Sequence, residues 1–514
     1  MSEAAISGSS QGRRGRSARR NARLATSFDS LPALERGLPY LDLMTPAQLE
    51  KMHDATMRIL ENKGIEFRDD ESAELWRAAG ATVNGHHIRI PRELLMQLIS
   101  TVPSSYTMHA RNPERTVKLG DGHTCFVPAY GSPMIIDMDG KRRNATLEDF
   151  NNFAKLAYMA PAMHMTGGVL VEPMDVPVPK RHLHMMYSLL KYSDKPFMGM
   201  VLGRDKAIDS MEMVKLVFGE EFLETHTVMT SLANGNSPLV WDETMLDAAK
   251  VYARHNQAML FSPFALCGAS TPASVVGTMA QISAEALAGV AFSQLCRKGA
   301  PAVYGQWLAT VSMQSGAPMA GTPEICHINM LMGQLARFYK LPMRCSGMCT
   351  SSKVVDTQAG YEAGRNMYGV LMSGANFVLS TAGYMEGAMA QSYAKYAIDI
   401  EQMELFYRLG KGPDFDGLGG ALDAIDDVEI GHHYLGSAHT LENFQTAFSM
   451  PNLMDHNSYE QWAAEGGKDA NQRGIEKIKK MLGDYQEPAL DSAVDDALLE
   501  FIARREAEIG DRTL

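Results

Sequence analysis

Four aromatic side chains, Tyr130, Phe264, Trp307 and Tyr384, each follow a short apolar run that reads as a strand. Aromatic faces gathered around one opening attract quaternary ammonium groups by about 0.5–2 kcal/mol each. The same positions suit ordinary packing at a barrel mouth, and position alone leaves both uses open. Glu386, two residues beyond Tyr384, could place a negative charge near such a cation or be held in a structural pair with Lys or Arg. Asn234 and Asn236 flank Gly235 after another apolar run, and His432 and His433 stand together within IGHHYLG. All four could bind an anionic tail; the histidines could equally cap a loop. Cys345 and Cys349 lie four apart without a CxxC partner cluster, so no metal is expected there. Lys353 ends the same loop, where a Schiff-base lysine is one use and a surface lysine the commoner one. No GxGxxG between strand and helix, no Walker A loop and no HExxH occurs, and GLGG at 417–420 reads as a turn.

Residues so far apart in the chain need a scaffold that brings them together. From about residue 122 the sequence alternates apolar runs with helical patterns. Strands are expected at 124–128, 164–170, 196–201, 226–232, 258–262, 302–306, 342–346 and 377–381, each followed by a helix. Eight such units predict an α/β protein with a (β/α)8 TIM barrel over 121–412. Residues 31–120 are expected to form an N-terminal helical cap and 413–514 a C-terminal helical appendage. Barrel enzymes place their chemistry on the loops at the strand C-terminal ends, which is where the four aromatics and Glu386 fall. Strand seven runs into a Ser-, Gly- and Thr-rich loop, 345–353, after which Asp356 is placed to cap a helix with Ala359, Ala363 and Met367 inward.

Composition narrows the classes. Of 514 residues, 45% are hydrophobic, enough for a large core, and no uninterrupted apolar run reaches membrane-spanning length. The 36 methionines are adaptable core fillers that also suit flexible binding surfaces. The net charge of −12 includes six arginines between residues 13 and 23, so the remaining body is more acidic still. That argues against nucleic acid as main partner, and residues 1–30 are expected to be a disordered, solvated Arg-rich arm. Six scattered cysteines with no recognisable secretory signal point to a reducing, cytoplasmic setting.

Several segments together resemble the trimethylamine methyltransferase (MttB-like) superfamily. They are LPMRCSGMCTSSKVVDTQAGYEAGRNM at 341–367, the strand-eight exit STAGYMEG, the run GHHYLGSAHTLENFQTAFSMPNLMDHNSYEQW and the opening LDLMTPAQLEKMHDATMRILENKGI. The likeness extends from about residue 30 to 485. It implies a barrel enzyme that passes a methyl group from a methylated amine to the Co(I) centre of a corrinoid carried by a separate cognate protein. No cofactor bound by this chain itself is implied. Archaeal trimethylamine enzymes of this family use pyrrolysine, and the equivalent position falls near Met348. With only ordinary residues there, the implied donor is a quaternary amine such as glycine betaine, already charged and leaving as a neutral amine. Tyr130, Phe264, Trp307 and Tyr384 would then cage the ammonium, Met348 would line the site, and Glu386 would be the possible catalytic residue. Asn234, Asn236, His432 or His433 would take a carboxylate tail. A homo-oligomer without membrane or nucleic-acid partners is expected. A methylamine donor, a barrel lyase or hydrolase using Lys353, and a non-catalytic betaine-binding protein remain as alternatives.

Overall fold

The computed structural model describes residues 30–510, so the six N-terminal arginines lie outside the described residues. The eight units form a (β/α)8 barrel. Six strands share parallel ladders in the order Thr230–Asn236, Ala258–Cys267, Ala302–Gly305, Met343–Ser346, Phe377–Leu379 and His123–Phe126. The second and third units close the ring more sparingly. Their chain segments join through single bridges, Gly167 to Phe197 and Phe197 to Met229, and through a 3.0 Å bond from the His164 N–H to the Phe126 carbonyl. Full strands were expected here. Pro196 has no N–H to donate, and Gly167 adopts a φ of 99° so close to Pro128 that a Cβ would lie 2.7 Å from its ring.

The pleat sorts side chains into two cores. Leu232, Leu260, Val303 and Phe377 fill the barrel interior, whereas Phe261, Tyr304, Cys345 and Val378 point outward against the helices. The most apolar outer helix, Val275–Cys296, has the length and composition to cross a membrane, yet 78% of its apolar window is buried in this fold. Its small residues permit that closeness: a Cβ on Gly289 would meet the Phe261 ring at 2.5 Å.

The N-terminal region is more than a helical cap. Beside its helices Pro46–Arg58, Asp70–Ala78 and Arg92–Ile99, it supplies an antiparallel hairpin, Ser105–Met108 with Val117–Gly120. Met108, Val117 and Leu119 join the interior core, and Tyr106 shares a 2.9 Å hydrogen bond with Thr230, so the hairpin closes the end opposite the catalytic loops. At the other end a four-stranded rim sheet links Tyr384–Met385, Ala390–Ser392, Met134–Ile136 and Arg142–Asn144. The C-terminal helix Ala470–Asp484 packs on Tyr393–Lys411, and Ser492–Ile509 is clamped to the barrel by Arg505 on Asp209 and Lys191 on Asp495.

Three carboxylates tie this shell together. Burial disfavours the ionised form of each, but Lys250 and Ser72 at Asp69, Arg143 and Thr146 at Asp149, and His182 and Arg505 at Asp209 outweigh it. All three pKa values therefore lie below the ordinary range. A carboxyl depressed by folding contributes stability above its unfolded pKa of about 3.9, and loses it as pH falls through the lower folded value. The melting temperature should hold from neutrality down to about pH 5 and drop steeply below about pH 4. Asp149→Asn should flatten part of that drop in a melting series across pH.

Candidate active site

Inward-facing positions stack in tiers toward the strand C-terminal ends. The lowest, Leu232, Leu260 and Val303, is apolar. One pleat higher, strand register aligns Asn234 with Ser262, Gly305 with Arg344, and Arg344 with Phe377. Another pleat higher, Phe264 registers with Trp307, and Ser346 follows Arg344 on the same face of its strand. The interior thus runs from aliphatic, through a tier holding one cation, to an aromatic rim.

Arg344 was not anticipated from the sequence, although a charged residue inside an otherwise apolar barrel strand was a visible signal. Its side chain is 1% exposed. Nη1 donates to Ser262 Oγ at 3.0 Å and to the Gln306 carbonyl, while Nε has no partner. Among the described residues no carboxylate forms an ion pair with it. Burial pushes its pKa down to about 10, so it remains a cation at neutral pH. The Ser346 hydroxyl is also buried and unpartnered.

The four anticipated aromatics are linked as two pairs. Phe264 and Trp307 stack with centroids 4.5 Å apart and planes within 2°. Phe264 is 45% exposed and Trp307 only 7%, so Phe264 covers one indole face like a lid. Tyr384 donates its hydroxyl to the Tyr130 carbonyl at 3.0 Å, and burial raises both phenol pKa values. Asn234 and Tyr130 line a cavity of about 80 Å³ beside Glu172 and Arg181, themselves an ion pair at 3.0 Å.

The other anticipated residues are placed differently. Asn236 is exposed at the rim and spends its amide on Asp242 at 2.7 Å. The Met348 side chain is buried in the outer core and only its backbone faces the loop network; Cys349 instead clusters with Ala129, Ala320 and Tyr384. Met348 sits at a bend, closed by a 2.9 Å bond from the Cys349 N–H to the Gly347 carbonyl, and the two neighbouring side chains enter different apolar clusters. The Cys349 pKa is pushed up to about 12 by burial, which leaves a neutral thiol and no ready nucleophile. Cys345 points the other way, into the outer core. Glu386 is not a free counter-charge: the rim sheet brings Arg142 against it, with Nε 3.0 Å from both carboxylate oxygens. His432 and His433 are exposed on the C-terminal appendage, with His432 facing Glu429 at 3.7 Å. Lys353 is exposed and donates to the Ser351 carbonyl at 2.7 Å.

A family model described as trimethylamine methyltransferase (MTTB) matches residues 12–510. The chain belongs to this family, and it is a methyltransferase. It is 40% identical to a glycine betaine methyltransferase of Desulfitobacterium hafniense (strain Y51) over 475 residues, covering 92% of this chain and 99% of the relative. A proline betaine:corrinoid methyltransferase of Eubacterium limosum is 26% identical over 481 residues, 91% of this chain and 98% of the relative. Among solved structures, the Methanosarcina barkeri monomethylamine methyltransferase superposes with a TM-score of 0.51 over 92% of this chain and 93% of its own, at 10% identity, a likeness of fold.

The methyltransferase holds its strand-seven loop from several directions. Glu362 accepts from the Thr350 hydroxyl at 2.6 Å and the Ser351 N–H at 2.7 Å, and Asn366 donates to the Cys349 carbonyl at 3.0 Å. Asp356 caps the following helix through the Ala359 N–H, with Ala359, Ala363 and Met367 inward. Behind the loop, buried Lys395 donates to the Met348 carbonyl at 2.9 Å and to Asp399 at 2.5 Å, while Asp399 also accepts the Gly383 N–H at 2.8 Å. One ion pair thereby ties the strand-seven loop to the strand-eight exit. Across the barrel, buried Glu285 accepts from Ser237 and the Leu239 N–H and steadies the turn after Asn236.

Proposed function

We propose that this methyltransferase takes a methyl group from a quaternary amine, glycine betaine-like in its head group, and delivers it to the reduced cobalt of a corrinoid on a separate protein. The observation that carries the reading is the aromatic upper tier, where the nearly buried Trp307 stacks under Phe264 at the open end of the barrel. A trimethylammonium group is weakly hydrated and charged, which suits an aromatic face. The names of its relatives, a glycine betaine and a proline betaine:corrinoid methyltransferase, support the same donor class and acceptor.

The corrinoid supplies a strong nucleophile, so the chain need not activate one. Its residues hold the donor, keep water away and aim a methyl group at the mouth. In the transfer the N–CH₃ bond breaks, its electron pair stays on nitrogen, and the amine departs neutral. No proton moves, which agrees with an interior offering a neutral Cys349 thiol and neutral Tyr130 and Tyr384 phenols.

The experiment is a donor panel. Purified enzyme with its reduced corrinoid partner should methylate the corrinoid, followed by its absorption change, with glycine betaine and related quaternary amines but not with trimethylamine. Methylation from trimethylamine alone would reject the donor class, and ligand binding without transfer would favour a binding protein.

We also propose a homo-oligomer in a reducing compartment. Phe415, Leu435 and Phe448 of the appendage are each more than three-quarters exposed, a concentration of apolar surface that suits contact with a second copy. All six cysteines are free thiols. Light scattering that returned a monomer at working concentration would reject the oligomer.

A further inference from the structure

We propose that Arg344 binds a carboxylate on the donor, so that the substrate is a zwitterion held tail-down in the barrel with its methyl groups toward the mouth. This rests on the quaternary-amine reading and adds to it the tail, the residue that recognises it and the orientation.

A buried guanidinium without an anion is an expensive arrangement. Arginine does not escape by losing its proton at neutral pH, and buried charges are otherwise paired. The groups around Arg344 provide no counter-charge. Ser262 and the Gln306 carbonyl are neutral acceptors, and the ionisable groups that bear on it, Cys345, Cys349 and Tyr384, all stay protonated because burial raises their pKa values. An interior cation kept this way is a site waiting for an anion from outside.

The geometry suits a carboxylate. Nη1 is held by Ser262 and Gln306, which fixes the guanidinium plane and leaves Nε unpartnered. The Ser346 hydroxyl, a second unpartnered donor, lies one pleat toward the mouth on the same face. Gly305 alongside has no side chain; a Cβ there would stand 3.2 Å from the Arg344 Cβ and 3.0 Å from Leu260. A larger residue would therefore crowd the place a carboxylate needs. The aromatic tier begins one pleat above, about 6.6 Å along the strand. That suits a short zwitterion whose two charges stand a few bonds apart. With the carboxylate on Arg344, the ammonium reaches Trp307, and its methyl groups face the mouth, away from the end that the Ser105–Met108 and Val117–Gly120 hairpin closes. His432 and His433 are not needed for the tail.

The test compares two probes that share a head group, glycine betaine with a carboxylate and choline with a hydroxyl, titrated calorimetrically against the full-length enzyme. Wild type should prefer glycine betaine by about 100-fold, the scale of a desolvated charge pair. Arg344→Met should weaken glycine betaine by about 100-fold while changing choline by less than about 3-fold, and Arg344→Lys should recover part of the loss. A merely structural role would weaken both probes together. Equal affinity of wild type for the two probes, or unchanged glycine betaine affinity in Arg344→Met, overturns the assignment. Should Arg344→Met fail to fold, the wild-type preference and the Arg344→Lys variant decide. Binding of glycine betaine through Arg344 with no methylation of the corrinoid would instead defeat the transfer reading and leave this one standing.

Discussion

Asp399→Ala should lower the unfolding free energy by about 3–5 kcal/mol, the usual cost of leaving one partner of a buried ion pair alone. Lys395 and Asp399 are 2% and 3% exposed, so water cannot replace the lost contact. The pair is not itself a large source of stability: burial raises the Asp399 pKa, with Lys395 and the Gly383 N–H opposing it. The loss comes from the Lys395 charge stranded beside the Met348 carbonyl. Removing both charges together, Lys395→Met with Asp399→Leu, should therefore cost far less than Asp399→Ala alone. Urea titration reads this directly as a fall in the midpoint with an unchanged slope. A loss below about 1 kcal/mol in the single variant would mean the pair is solvated and not the tether described. Because the pair holds Met348 and Gly383 together, the double variant should remain folded yet transfer methyl groups more slowly.

Trp307→Ala should weaken glycine betaine binding by about 30-fold, equivalent to about 2 kcal/mol for a desolvated cation on an indole face. Trp307 is nearly buried under Phe264, so its outer face is spent on stacking and its inner side is what remains for a ligand. Phe264→Ala should cost less, about 3- to 10-fold, because it removes a stacking partner worth about 0.5–1.5 kcal/mol and lets water reach the indole. Trp307→Phe should fall between wild type and Trp307→Ala. Calorimetric titration separates the three, and unchanged affinity in Trp307→Ala would sink the aromatic-tier site. Arg344 and Trp307 lie one pleat apart, so their effects should not simply add.

Much of the scaffold was legible in the chain because barrel strands and helices carry different periods. Alternation of apolar runs with 3.6-residue patterns marked all eight units, and the strand ends carried Tyr130, Phe264, Trp307 and Tyr384 to the mouth by topology alone. The sparing ladders around Gly167 and Pro196 were less visible, since they follow from close backbone approach between segments far apart in sequence. The plug hairpin escaped notice because Ser105–Met108 is short and only partly apolar.

The site divides along the same line. Residue type and order along the strands determined which aromatics reach the open end, since the pleat and the βα loops admit little choice. Which of them touch, and what else touches them, was decided by tertiary packing. The rim sheet paired Glu386 with Arg142, a contact between residues 244 positions apart. The turn of one residue put Cys349 rather than Met348 toward Tyr384. Arg344 stood in plain view in LPMRC, but an arginine in a strand is usually paired, and the sequence carries no sign that this one is not. The absence of a counter-ion is a property of the surrounding volume, which exists only once eight strands have closed around it.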